Sequence, residues 1–531
     1  MIERYGIRIC QWTAVFTCVS FLAALQGCGR NPPQPNSTSR VSEIIYTPAM
    51  ESKEKITKKR SEVPQTPTFA ETRPSTAPSS PSLSTLAGAQ YTSIPQQRFR
   101  LADDRPKLNR EELLAHGLRM VESRHLLLVT DLPEESVADL PPLADALFTA
   151  LEQRLGKLAP NIAGAEFQVT GFLMDARDRF DRAGVLPPEE YPIRHGRHLG
   201  YQFWMNNQPA DYYRRHLLLH EFVHCFLMCE YGMNDIPALW YTEGIAEYFA
   251  THRLHAEVAQ SEFGILPTTE KGFDGWHRIA EVRRHFDKEP SATGELSNII
   301  SLQTVLHPPD TVFLADSKYA NAWALVWLIN HHPELRLEFA GLAHCRTQQQ
   351  FNDAMSKISP ATLLLMNQIW PLYLDGLEEA SETTVRFPLK EPLTPLKTAI
   401  ANSQNALPME LRLEADKQWV STGLELTAGE EISIQCKDQY VVGKTTKPWN
   451  SEPDGITIDY VHGCPLGQVI GAIVSNDGAE STRRIPIGAS KTLRSPIDGI
   501  LWLQINDRWS DRAENAGSVV VQIAAKKTPG D

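Results

Sequence analysis

Residues 217 to 227, LLLHEFVHCFL, place two histidines and a glutamate in an otherwise apolar segment. On a helix, His220 and His224 lie one turn apart on the same face, so both imidazoles can bind a single Zn²⁺. Glu221 lies beside that face, where it can reach a water on the metal without being a ligand, as a general base must. The segment therefore predicts a zinc site that can activate water.

A second carboxylate follows at a spacing that allows it to join the two histidines. There are 18 residues between His224 and Glu243. We expect the first helix to end near Gly232, the chain to turn at 234–237, and a second helix to bring Glu243 to the metal. Glu247 lies one turn further, where it can accept the other ring N–H of a zinc-bound histidine. The predicted site has three protein ligands and one position open to solvent.

This pattern, HExxH followed after 18 residues by Glu in the sequence Glu-Gly-x-Ala-Glu, resembles the gluzincin branch of zinc metallopeptidases. It departs from the metzincin pattern, because Leu227 and Glu230 stand where a glycine and a third histidine would be needed. The resemblance implies zinc bound by the two histidines and Glu243, with Glu221 as general base and a protein or peptide as substrate.

Members of this branch also use a downstream Tyr or His to bind the oxyanion of the tetrahedral intermediate. Tyr319 is the candidate here, with Tyr241 and His331 as weaker alternatives, and an ordinary core role for Tyr319 stays open. The family lays its substrate along an edge strand just before the HExxH helix, and residues 201–207 are the matching stretch.

Two other interpretations of the buried histidines and glutamate stay open. Ordinary hydrogen bonds could hold them, although each group would then need its own partner. A structural zinc without catalysis would also satisfy the histidines and Glu243, but it has no need of Glu221. Cys225 and Cys229 are again one turn apart, but helical angles turn them away from His224, so we predict that they only pack.

The N-terminus has the anatomy of an export signal. Arg4 and Arg8 precede an apolar run that ends in Leu25-Gln26-Gly27-Cys28, which resembles a bacterial lipoprotein signal peptide. The resemblance implies lipidation of Cys28 and an exported, membrane-anchored lipoprotein in the periplasm or at the cell surface. A plain secretory signal and a short buried helix are the alternatives.

At 531 residues the chain exceeds what one core usually organises, and we predict a multidomain protein. An α+β zincin-like catalytic domain, with strands first and helices after residue 211, is followed by an all-β sandwich of short alternating runs. The predicted segments are a signal peptide (1–28), a disordered Pro/Ser/Thr-rich linker (29–106), the metallopeptidase domain (107–386), a second linker (387–408) and the sandwich (409–527).

Charge and cysteine content exclude two classes of protein. The formal net charge is -12 and no basic stripe is present, so a nucleic-acid partner is not expected. Of the eight cysteines, five remain after the signal peptide and Cys28, and their odd number and scattered positions imply no disulfide framework.

The C-terminal region from Trp419 to Ile523 resembles the calcium-dependent galactose-binding bacterial lectins. The resemblance rests above all on Asn506-Asp507 followed by Glu514-Asn515-Ala516-Gly517. It implies a Ca²⁺ site formed by the side chains of Asp507, Asp511, Glu514 and Asn515 and by a backbone carbonyl near Val442. The sugar site departs from the family, because Glu452 stands in place of a histidine. A supporting role for the sandwich is the alternative.

Together these patterns predict a zinc-dependent endopeptidase-like hydrolase on a membrane-anchored lipoprotein. The competing hypothesis is a cell-surface carbohydrate-binding or adhesion protein whose zinc site is inactive. The expected cofactors are Zn²⁺ and, in the C-terminal region, Ca²⁺.

Overall fold

The computed structural model describes residues 99–525 except for 101, 189–192, 194, 232–234, 256, 266–273, 285–289, 298, 309–315, 378–407, 444–447 and 510. The predicted signal peptide, Cys28 and nearly all of the two predicted linkers lie outside the described residues. Among the described helices, none combines the length and apolar character needed to cross a membrane.

The last residues of the predicted first linker contact the folded chain. The backbone N–H of Arg100 donates to the Pro160 carbonyl at 3.2 Å. The Arg105 guanidinium donates to Thr170 at 2.9 Å and lies over the Tyr201 ring. These two arginines attach the segment to the folded region.

Apolar runs form a five-stranded sheet in the first half of the described chain. Its order is β1-β2-β3-β5-β4, in which β2, β3 and β5 are parallel and the two outer strands are antiparallel to their neighbours. Every residue of β3 is buried, as expected for a central strand. The strands are β1 (Arg119–Glu122), β2 (Leu126–Thr130), β3 (Val169–Met174), β4 (Gly196–Leu199) and β5 (Gln202–Asn206).

The position of β5 corrects the prediction that residues 201–207 are the edge strand. This stretch is paired on both sides, with β3 and with β4, and its three central residues are buried. The edge is formed by β4, a four-residue strand with polar and basic residues and intermediate exposure. Its sequence, GRHL, lacks the apolar content that made 201–207 the stronger strand signal.

Helices dominate after residue 211, interrupted by the short hairpin of β6 (His252–Arg253) and β7 (Glu262–Phe263). The predicted break between the two site helices is confirmed, since α4 ends at Tyr231 and α5 begins at Leu239. The helices are α1 (Arg110–Ala115), α2 (Leu140–Leu155), α3 (Arg177–Arg182), α4 (Asp211–Tyr231), α5 (Leu239–Ala250), α6 (Arg278–Arg283), α7 (Leu302–Leu306), α8 (Asp316–His331), α9 (Pro333–Glu338), α10 (Gln348–Met355) and α11 (Pro360–Gly376).

Gly244 brings α5 into close contact with α8. A Cβ at this position would lie 2.5 Å from Val326 Cγ2 and 2.6 Å from the Ala322 carbonyl oxygen, distances that no real side chain tolerates. Because Gly244 has no side chain, α5 can pack this close to α8. The same contact positions Glu243, which is the preceding residue.

The C-terminal region is rich in β structure, as predicted. Two four-stranded antiparallel sheets, β17-β10-β19-β8 and β16-β15-β18-β9, share one hydrophobic core. The strands are β8 (Met409–Glu414), β9 (Val420–Leu426), β10 (Glu431–Lys437), β11 (Tyr440–Val442), β12 (Trp449–Ser451), β13 (Ile456–Val461), β14 (Cys464–Leu466), β15 (Val469–Val474), β16 (Ile485–Pro486), β17 (Ser490–Arg494), β18 (Gly499–Ile505) and β19 (Ser518–Ala525). β11 pairs with β12, and β13 with β14.

This β-rich region packs directly against the helices. Every residue of β15 and β18 is buried, and Trp502 belongs to the same core as the residues of α11. The Trp509 ring lies 5.9 Å from the ring of Tyr373. Arg484 forms an ion pair with Asp375 at 2.5 Å, and both side chains are largely buried. The helical and β-rich parts therefore share apolar and charged contacts.

Candidate metal centre

Three predicted ligands meet at the contact between α4 and α5. His220 Nε2 and His224 Nε2 lie 3.0 Å apart, and Glu243 Oε2 lies 3.4 Å from the first and 3.3 Å from the second. Tetrahedral coordination with bonds of about 2.0 to 2.1 Å separates its ligand atoms by about 3.3 Å. These three residues form one of two groups in the described chain whose geometry could hold a metal ion. The arrangement fits a small metal ion without identifying which one.

Burial and mutual charge interactions shift the pKa values of this trio in different directions. Glu243 Oε2 is buried and accepts no hydrogen bond, although an ionised carboxylate needs a partner. Burial raises the pKa of Glu243, but the two imidazoles outweigh it and hold that pKa well below its usual range. Burial lowers the pKa of His224, which favours the neutral imidazole that metals bind, whereas at His220 the carboxylates of Glu243 and Glu247 outweigh burial and raise the pKa to about 9. A bound cation would satisfy the carboxylate oxygen.

Behind the trio, Glu247 accepts contacts from three cationic or polar groups. Arg278 binds both carboxylate oxygens, at 2.9 and 3.1 Å, and His216 Nε2 lies 3.2 Å from Oε2. Burial raises the pKa of Glu247, but Arg278 and His216 more than offset it, so the carboxylate stays ionised. His220 Nδ1 lies 3.5 Å from Oε1, which is long for the predicted hydrogen bond, so the contact is mainly electrostatic.

His216, His220 and Glu247 form the second group whose geometry could hold a metal. The guanidinium of Arg278 already neutralises Glu247 there. We therefore interpret His216 and Glu247 as residues that keep His220 in position, and not as ligands of a second metal ion. His216 was missed from the sequence, although it stands one helical turn before His220 in the same apolar helix. Arg278 has no comparable signal, because it comes from α6, far along the chain from the ligands.

Glu221 lies against the edge strand β4. Its side chain is 6% exposed, and His198 Nδ1 lies 3.1 Å from Oε2. Burial raises the pKa of Glu221, but the hydrogen bond from His198 and the charges of His198, His220 and His224 lower it overall. A general base requires an ionised carboxylate, and Glu221 is ionised beside the candidate metal ligands. His198 was also missed from the sequence.

Tyr319 lies near the trio, at the start of α8. Its ring centroid is 6.3 Å from that of His220, and the cationic groups of Lys318 and Arg278 lie 4.8 and 5.5 Å from the Tyr319 centroid. Burial raises the pKa of Tyr319 above its ordinary value, so the phenol keeps its proton and can donate it. The position is compatible with the predicted oxyanion contact.

The weaker alternatives contact the hydrophobic core instead. The Tyr241 ring lies 5.1 Å from the ring of Phe351. His331 stacks on Trp327 at 4.0 Å and pairs through Nδ1 with the Trp327 carbonyl. These contacts account for both side chains as packing residues.

A small apolar cavity of about 30 Å³, room for one or two water molecules, lies beside Glu243. Side chains of α5, α7 and α8 line it, among them Trp240, Thr304, Val305 and Ala322. Glu243, a candidate metal ligand, forms part of its wall.

The five cysteines in the described part of the chain are buried and form no disulfide. Burial raises the pKa of the Cys225 thiol well above its usual range and that of Cys229 to about 12. Both therefore remain thiols, and Cys225 Sγ contacts the Gln202 carbonyl at 3.5 Å. These contacts agree with the packing role predicted for them.

In the C-terminal region, the predicted calcium ligands are only partly brought together. Asp507, Asp511 and Asn515 are buried, whereas Glu514 is exposed. The Asn515 amide donates to Asp507 Oδ2 at 2.8 Å, and its oxygen accepts from the N–H of Gly443, next to Val442. The three carboxylates are not among the groups in the described residues that could hold a metal.

A buried arginine lies next to the predicted calcium ligands. Arg512 is fully buried and donates to the backbone carbonyls of Asp507 and Ile505 at 2.8 and 2.7 Å. Burial raises the pKa of the Asp507 carboxyl. The Asn515 amide donates to that carboxyl, so two of the predicted calcium ligands are in direct contact, and the calcium site stays a prediction.

No protein-family model matches this chain, and no curated protein matches it. Among solved structures, a chain described as "EclA N-terminal domain; PllA-like lectin" is 21% identical over 22% of this chain and 98% of its own length, with a TM-score of 0.18. A similarity at this TM-score does not define the fold.

Proposed function

We propose that this chain is a zinc-dependent, endopeptidase-like hydrolase carried on an exported, membrane-anchored lipoprotein. The observation that supports it most is the convergence of three ligand atoms, His220 Nε2, His224 Nε2 and Glu243 Oε2, within 3.4 Å of one another. Glu221 is ionised on the same helix beside them. A structural metal site would not need that fourth group.

In this proposal, His220, His224 and Glu243 hold Zn²⁺. When bound, Zn²⁺ supplies a Lewis acid that polarises the scissile carbonyl and makes water a better nucleophile. Glu221 accepts the proton of the attacking water and transfers it to the leaving amine. Glu247, neutralised by Arg278, holds His220 in place electrostatically.

Tyr319 is the proposed donor to the oxyanion of the tetrahedral intermediate. It is a protonated phenol close to His220, and the cationic groups of Lys318 and Arg278 lie 4.8 and 5.5 Å from its ring centroid. A donor fixed before the reaction costs no reorganisation when charge develops. The proposal expects a lower kcat in Tyr319→Phe with unchanged metal content.

The cavity beside Glu243 suggests the class of substrate. Its wall is mostly apolar and its volume is only about 30 Å³, so a peptide with a small apolar side chain next to the scissile bond would fit there. A lipid anchor at Cys28 would hold the enzyme at the membrane, from which it would reach its protein substrate. The anchor is proposed only on the resemblance of the N-terminus to a bacterial lipoprotein signal peptide.

For the C-terminal region we propose a supporting role for the helices that carry the site. Trp502, Trp509 and Arg484 pack or pair with the helical part, which supports this role over an independent binding module. The alternative function is glycan binding at the cell surface, with or without Ca²⁺ near Asp507 and Asn515, by a protein without peptidase activity.

The test uses the full chain purified in detergent, with zinc measured by mass spectrometry and hydrolysis measured on a generic protein substrate. Glu221→Gln should keep about one zinc per chain and lose activity by about 10²- to 10⁴-fold, as expected for a general base. Glu112→Gln, at an exposed site in α1, is the control and should remain active. Zinc-loaded wild type without hydrolysis, combined with glycan-array binding that persists in Glu221→Gln, would favour the alternative.

A further inference from the structure

The side chain of Glu221 fills a space that the edge strand β4 leaves open. Gly196 and His198 are two residues apart on this strand, so they face the same side. A Cβ at Gly196 would lie 2.7 Å from the Glu221 carboxyl carbon and 2.9 Å from its Cγ. The glycine is therefore required for Glu221 to lie where it does.

His198 contacts both the base and a metal ligand. Its Nδ1 lies 3.1 Å from Glu221 Oε2, and its ring stacks on that of His224 with centroids 4.2 Å apart and planes at 25°. The His198 side chain is 26% exposed, whereas that of Glu221 is 6% exposed. One edge of the imidazole thus bonds the carboxylate, one face covers His224, and part of the ring is accessible.

The proton in this hydrogen bond can be assigned. An ionised carboxylate only accepts hydrogen bonds, so Nδ1 of His198 must carry the hydrogen. This bond occupies Oε2 and stops the carboxylate from rotating. Gly196 lies beside the other oxygen and provides the space for it.

We infer that His198 is a positioning residue, which holds Glu221 in the orientation needed to accept a proton from water through the hydrogen bond from Nδ1, with Gly196 supplying the necessary space. The inference rests on the proposed hydrolase function. It also identifies β4 as a strand that orients the base.

Two substitutions separate this role from a direct contact between His198 and the substrate. Asparagine can place an amide N–H close to the position of Nδ1, whereas glutamine places its amide close to that of Nε2. In His198→Gln we expect kcat to fall about 10- to 100-fold with little change in KM, the size of effect that loss of an orienting partner has at metal sites. His198→Asn should recover most of that loss, and both variants should keep the zinc content of wild type.

A matched control is available three residues earlier. His195 is exposed, and its backbone carbonyl, which bonds Asn206, is unaffected by substitution of the side chain. His195→Gln should leave kcat and KM unchanged. Equal loss in His198→Asn and His198→Gln, or full activity in His198→Gln, would overturn the inference.

A second readout does not depend on the activity of metal-loaded protein. In chelator-treated, ¹⁵N-histidine-labelled full chain, NMR should show His198 protonated at Nδ1, and Glu221→Gln should shift that signal. An unprotonated Nδ1, or a signal insensitive to Glu221→Gln, refutes the hydrogen bond. Wild type that binds no zinc or shows no hydrolysis would refute the proposed function instead, and the NMR measurement would still decide the positioning of Glu221.

Discussion

The buried ion pair between Arg278 and Glu247 should be among the most sensitive points of the structure. The Glu247 side chain is 2% exposed, and Arg278 contacts its oxygens at 2.9 and 3.1 Å. Arg278→Met removes the cation while leaving the carboxylate buried with only histidines beside it. Breaking a buried pair in this way typically costs about 3 to 5 kcal/mol of unfolding free energy.

A double variant checks that the cost comes from the unpaired charge. Glu247→Gln introduced together with Arg278→Met removes the charge as well as its partner. The double variant should therefore be more stable than Arg278→Met alone, and the two substitutions should be non-additive by more than about 1 kcal/mol. Additive losses would mean that the pair acts through packing rather than charge.

The assay is urea unfolding of chelator-treated protein, followed by tryptophan fluorescence and circular dichroism, so that metal binding does not contribute. Arg124→Met is the control, because Arg124 pairs with Glu166 through two hydrogen bonds at an exposed site. Its unfolding midpoint should not change, since exposed pairs contribute little. If Arg278→Met also leaves the midpoint unchanged, the electrostatic account of the metal centre fails.

Three further perturbations test how the site is positioned. Gly244→Ala should separate α5 from α8, lower the unfolding free energy by about 1 to 3 kcal/mol and weaken zinc binding, as measured by urea unfolding and metal titration. Gly341 has open space around it, so Gly341→Ala should change neither the unfolding free energy nor zinc binding. A fragment of residues 97–386 should fail to show cooperative unfolding because it lacks the β-rich side of the shared core, and an unfolding midpoint equal to that of the full chain would contradict this. Thr304→Phe should lower kcat/KM for peptides with a small apolar residue next to the scissile bond by filling the cavity beside Glu243, while exposed Gln303→Phe should leave kcat/KM unchanged.

The sequence alone indicated that the three candidate ligands would meet, because their positions depend on local rules. Two histidines four residues apart must share a helix face, and the 18-residue interval before Glu243 allows a helix end near residue 232 and a second helix. These rules placed α4 and α5 correctly. Only a short connection joins the two helices, so few packing arrangements are possible. This is why Glu243 could be expected to lie near the histidines.

The edge strand could not be predicted in the same way. Hydrophobic pattern identifies strands that are buried, so it selected residues 201–207 and passed over β4, whose residues are half-exposed. An edge strand pairs on one side only, and backbone pairing demands no particular side chains. His198, which lies on β4 and contacts Glu221, was missed for that reason.

Contacts between distant segments were also beyond local reasoning. Arg278 reaches Glu247 from a different helix, and Asn515 donates its amide to Asp507 where the lectin resemblance had suggested a shared calcium ion. Both depend on how elements pack in three dimensions. His216 differs, because its one-turn spacing from His220 was visible in the sequence.

X-ray absorption at the zinc edge of the purified full chain tests the central claim most directly. The account predicts about one zinc per chain with only nitrogen and oxygen neighbours at about 2.0 to 2.2 Å, including one solvent position, and loss of that zinc in Glu243→Ala. Sulfur neighbours at about 2.3 Å, four protein ligands, or full zinc retention in Glu243→Ala would contradict it.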